Sequence, residues 1–139
     1  VLAALYDVHG NLAALDAVLA DARAAGADRW LLGGDYALFG PYPAETVSRL
    51  RELENAIWIR GNGERWTASP DSAPDNAFVP GAVAAAREAL GLELVDRLAR
   101  LPESSPIPDG RAWHGSPVSD VRSFAPSPAP DEDELLAGV

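Results

Sequence analysis

Asp7, His9, Asp35, Asn62 and His114 are residue types that bind divalent cations, and each follows a short apolar run. Leu2–Tyr6 stops at Asp7-Val8-His9-Gly10-Asn11, and Trp30–Leu32 stops at Gly33-Gly34-Asp35. Ile57–Ile59 stops at Gly61-Asn62-Gly63-Glu64, and Arg111–Trp113 stops at His114-Gly115-Ser116-Pro117. The chain has 2 histidines, and both fall inside these clusters. In an open α/β sheet, ligands gather outside the carboxyl ends of the strands. Four such ends can offer carboxylate and amide oxygens and imidazole nitrogens to one crevice. That donor set suits a divalent metal better than an organic cofactor. Asp-x-His or Gly-Asp alone is a weak signal; the four clusters in this order are a strong one.

The intervening segments read as the scaffold for those ends. Asn11 is an N-cap type, and Leu12, Leu15, Val18, Leu19 and Ala22 recur at helical spacing until Gly26 closes the segment. Pro43 suits a first helical turn, and Val47, Leu50 and Leu53 follow as an apolar stripe. With strands at Leu2–Tyr6, Trp30–Leu32 and Ala56–Arg60, the alternation predicts parallel strands joined by helical crossovers. Residues 67–80 read as a loop or flap. Helical pattern returns from Gly81 to Leu90, breaks at Gly91 and continues to Leu101 before Pro102. Glu103–Gly110 reads as loop, Arg111–Trp113 as a short strand, and Ser116–Pro130 as an extended loop before a short helix opening at Asp131.

Composition narrows the classes. A chain of 139 residues with 47% hydrophobic content is expected to be one domain, 1–139, with a real core. A net charge of −10 argues against a duplex nucleic-acid binder, which needs a basic footprint. No cysteine is present, so neither disulfides nor thiolate metal sites arise. No apolar stretch is long enough for a membrane span and no signal peptide can be read, so residence in the cytoplasm is expected. The sequence leaves self-association into a homo-oligomer open.

The set Asp7-Val8-His9-Gly10-Asn11, Gly34-Asp35, Gly61-Asn62-Gly63-Glu64 and His114-Gly115 resembles the calcineurin-like metallophosphoesterase superfamily. Gly33-Gly34-Asp35 with Phe39-Gly40-Pro41, and His114-Gly115-Ser116-Pro117, are similar to its small bacterial phosphodiesterase branch. The resemblance implies a four-layer αββα sandwich of two mixed β-sheets flanked by helices, with a dinuclear centre at one edge. It implies that Asp7 and His9 bind a first metal, Asp35 bridges both, and Asn62 and His114 bind the second. Asp35, Asn62 and His114 are then the expected catalytic residues. Manganese or iron fits the oxygen-rich set best, with zinc and nickel as alternatives. The implied reaction is hydrolysis of a small phosphoester, most simply a phosphodiester, by a metal-activated hydroxide.

Two departures accompany the resemblance. The family usually adds a Gly-His-x-His segment, which these residues lack, and this points to a domain truncated before its last metal motif. Gly63 stands where the fuller motif has a histidine that protonates the leaving oxygen, and glycine transfers no proton. Both departures keep a rival in view, a catalytically inactive scaffold of the same fold. A nucleotide-binding module is disfavoured, because the first turn has neither Gly-x-Gly-x-x-Gly nor a P-loop lysine. Glu64 reads as a structural acceptor, and Arg60 and Arg65 as partners of nearby acids. Trp30, Trp58 and Trp113 read as core, with Trp66 on the substrate side.

Overall fold

The computed structural model describes residues 1–139. Strand β1 (Leu2–Leu5) pairs in parallel with β2 (Arg29–Leu32), which pairs in parallel with β3 (Ala56–Trp58). Helix α1 (Leu12–Ala24) connects the first two strands, and α2 (Pro43–Arg51) connects the second and third. Asn11 caps α1 as its residue type predicts, its side-chain oxygen accepting the Ala14 N–H at 3.1 Å. Pro43 opens α2, where its missing N–H costs no helical bond.

Alternation along the strands sorts their side chains to two faces. Trp30 and Leu32 of β2 join Leu15 and Leu19 of α1 and Val47 and Leu50 of α2 in the largest apolar cluster. Leu31 and Ile59 face the other way and pack with Ala112. Ala112 belongs to an antiparallel hairpin, β4 (Ser104–Ile107) and β5 (Gly110–Trp113), paired from Ser104 with Trp113 to Ile107 with Gly110. The layers therefore run helices, parallel sheet, second sheet. The α/β class is the one that the resemblance implies, with three of its four layers accounted for here and each sheet of one kind.

The segment between the sheets is more helical than its Ser, Asp and Pro content predicts. Helix α3 (Asn62–Ala68) starts inside the third motif, a short 3₁₀ turn spans Pro70–Ser72, and α4 (Val79–Leu90) and α5 (Leu92–Ala99) follow. Gly91 makes the break between α4 and α5. The loop reading of Glu103–Gly110 is corrected: Ser104–Ile107 is β4, whose extended backbone is held by cross-strand pairing rather than by an apolar run of its own. Helix α6 (Glu132–Leu135) docks only Leu135 into the interior. No helix is long and apolar enough to cross a membrane.

Candidate metal centre

Backbone pairing between β1 and β2 continues past the strand ends and sets the first two clusters side by side. The Gly33 N–H donates to Leu5 at 2.7 Å, Asp7 to Gly34 at 3.2 Å, His9 to Asp35 at 2.9 Å and Gly10 to Tyr36 at 2.8 Å. Asp7, His9 and Asp35 all adopt left-handed backbone, with φ of 53°, 48° and 56°. Such conformations are costly outside glycine and tend to cluster at functional sites. Gly34 shows why the approach needs a bare backbone: at φ +100°, a methyl group there would lie 2.6 Å from the Gly61 nitrogen and 2.9 Å from His114 Nδ1.

Asp35 lies between the two histidines, one per carboxylate oxygen. His9 Nε2 is 3.8 Å from Oδ2, and His114 Nε2 is 3.6 Å from Oδ1. His9 Nδ1 lies 2.9 Å from the Leu38 carbonyl, and His114 Nδ1 lies 2.8 Å from the Gly33 carbonyl. A carbonyl can only accept, so each Nδ1 carries the proton and each neutral ring presents a bare Nε2. His9 Nε2 also faces Asp7 Oδ1 at 3.4 Å, and His114 Nε2 faces Asn62 Oδ1 at 3.0 Å. Lone pairs thus converge from several sides with no proton between them, an arrangement that a cation completes. Ligand atoms of Asp7, Asp35 and His114 all fall within 4.8 Å of one another.

A buried carboxylate braces the site from behind. Glu64 Oε2 accepts the N–H groups of Asp35 and Gly61, each at 2.9 Å, and Oε1 accepts that of Tyr36 at 2.9 Å. One side chain from the first turn of α3 therefore ties the second cluster to the third. Burial, and secondarily the Asp35 charge, pushes the Glu64 carboxyl up, while the three N–H donors pull it back. Burial likewise raises Asp35, opposed first by the Gly63 N–H, which donates to Oδ1 at 2.6 Å. Tyr36, fully buried beneath, sets its hydroxyl 2.7 Å from the Leu32 carbonyl and 2.5 Å from that of Ile59.

Asp7, Asn62 and His114 border an open cleft of about 410 Å³ shared with Tyr6, Trp113 and Asp120. All five residues singled out from sequence meet at this edge. Arg60 pairs with Glu103, and Arg65 makes a two-pronged pair with Asp120 at 2.7 Å per bond, as the reading of both as partners of acids expects. Two tryptophan expectations are corrected. Trp113 lines the cleft instead of the core, because it ends β5 at the site edge. Trp66 packs on the Leu38, Val79, Val83 cluster, because its helical position turns it toward α4. Two aromatic neighbours carry no site role in the sequence reading: Tyr6 stacks on His114 with centroids 6.3 Å apart, and Phe39 leans on His9 at 5.6 Å. Their adjacency to Asp7 and to Gly40-Pro41 was the available signal.

Residues 5–137 match the family model of calcineurin-like phosphoesterases. A metallophosphoesterase from Sphaerobacter thermophilus superposes with a TM-score of 0.71 at 30% identity, over 89% of this chain and 50% of its own. A hypothetical protein from Pyrococcus horikoshii OT3 superposes with a TM-score of 0.75 at 22% identity, over 96% of this chain and 63% of its own. The chain thus spans between half and two-thirds of the length of these solved relatives. No curated protein sequence matches it.

Proposed function

The chain belongs to the calcineurin-like phosphoesterase family, and from that premise we propose that it acts as a metal-dependent phosphodiesterase with a dinuclear centre. One observation carries the reading: the two oxygens of buried Asp35 each face the bare Nε2 of a different histidine. A carboxylate so placed suits one cation on each side. Asp7 and His9 would hold the first, Asn62 and His114 the second, with Asp35 common to both. Manganese or iron matches the mixed oxygen and nitrogen donors best. When bound, such cations supply Lewis acidity toward a phosphoryl oxygen and a nucleophile at neutral pH.

The chain's own groups account for positioning. Leu38 and Gly33 carbonyls hold the two rings in the required tautomer, which is how outer partners commonly orient metal-binding histidines. Gly63 presents only its N–H, already spent on Asp35, so this position delivers no proton to a leaving oxygen. Esters with good leaving groups are therefore favoured, and aryl phosphodiesters are the natural probe.

Hydrolysis of bis(p-nitrophenyl) phosphate with and without manganese tests this reading. The expected result is turnover that needs manganese, is lost to a chelator, and is lost in Asp35→Asn. Manganese that binds without any turnover would favour the inactive scaffold, for which the side-chain-free Gly63 is the specific support.

A further inference from the structure

Phe39 occupies a position that neither packing nor backbone preference explains. Its φ is 76°, left-handed backbone that a bulky residue rarely adopts, and it is 50% exposed. The conformation is imposed from both sides. On one, Leu38 is buried against Val79 and Val83 of α4, while its carbonyl holds His9 Nδ1 at 2.9 Å. On the other, Gly40 presses so close to the first loop that a methyl group would lie 2.7 Å from the Gly10 Cα and overlap the His9 carbonyl. Pinned between these anchors, Phe39 projects over the His9 ring, centroids 5.6 Å apart and planes tilted by 55°. Half of its surface stays open, and the His9 ring it leans on faces Asp7 Oδ1 at 3.4 Å.

A flat apolar face held open next to candidate ligands is a recognition surface for another flat group. We propose that Phe39 is a specificity-determining residue, packing against a planar aromatic substituent of the phosphoester whose phosphate sits at the His9 end of the site. The proposal rests on the phosphoester reading above and adds a substrate class to it. Phe39 touches neither the phosphate nor the reacting atoms; it selects what is attached to them. An aromatic contact of this kind corresponds to roughly a three- to tenfold preference.

The test compares phenyl phosphate with methyl phosphate binding to the full-length, manganese-loaded protein by calorimetry, without relying on turnover. The unaltered protein is expected to bind phenyl phosphate about three- to tenfold more tightly. Phe39→Gly should bring the two ligands level, with a thermal midpoint no lower than before, because glycine accepts this φ. Phe39→Tyr should keep the preference. Should Phe39→Gly fold poorly, Phe39→Leu supplies the same ratio with bulk kept and the flat face gone. Equal binding by the unaltered protein, or a preference that survives both substitutions, would overturn the role of Phe39 while leaving the phosphoester reading intact. Failure of manganese to bind would overturn both.

Discussion

Burial pushes the Asp35 carboxyl above the usual carboxylate range, although the Gly63 N–H donates to it. An acid whose folded pKa is raised favours the fold most while it is neutral. In the metal-free protein that contribution is complete below the unfolded value of about 3.8 and is lost as pH rises through the higher folded value. Bound cations would reverse the balance by stabilising the charged form. Asp35→Asn keeps the shape and the oxygen that accepts from Gly63 while removing the charge. Without metal, this variant is expected to melt at or above the unaltered protein near neutral pH, with a flatter pH profile. With manganese, its thermal shift should vanish and activity fall by at least about a hundredfold. A variant that loses stability without metal and keeps its manganese shift would contradict this account of Asp35.

Scaffold elements bring the clusters together through a few shared contacts, and these predict where damage spreads. Glu64→Gln replaces one acceptor oxygen with an amide that meets N–H donors head on, so at least one of the three bonds from Asp35, Tyr36 and Gly61 is lost. A loss of about 2–4 kcal/mol in denaturant unfolding is expected, with weaker metal binding. Ile59 is fully buried between the parallel sheet and the hairpin that leads to His114. Ile59→Ala should cost about 2–5 kcal/mol and raise hydrogen exchange at Ala112 more than at Leu19 on the opposite face. Equal exchange on both faces would show that the hairpin is not anchored there. These contacts also mark how far the sequence could be read. The first three strands announce themselves by apolar runs that stop at glycine, and α1 and α2 by spacing and caps. Strand β4 has no such run, since Ser104, Ser105 and Pro106 owe their extension to partners across the hairpin. Asp35 and both histidines were legible by residue type and place. That Glu64 braces two clusters, or that Arg65 reaches Asp120 across 55 positions, depends on tertiary proximity that no local pattern carries.

At the scale of the molecule, a net charge of −10 and the convergence of His9 and His114 on the Asp35 carboxylate at the sheet edge favour binding of divalent cations. Manganese or magnesium should raise the thermal midpoint far more than monovalent salt of equal ionic strength, since screening alone cannot replace coordination. Equal effects would assign the stabilisation to general charge screening. The most direct test is metal content by elemental analysis after manganese loading and desalting, on the unaltered protein and on Asp35→Asn. The dinuclear account predicts about two ions per chain in the first and a loss of both in the second, because one carboxylate serves both positions. Metal-free protein in the first case, or full occupancy without the Asp35 carboxylate, would contradict it.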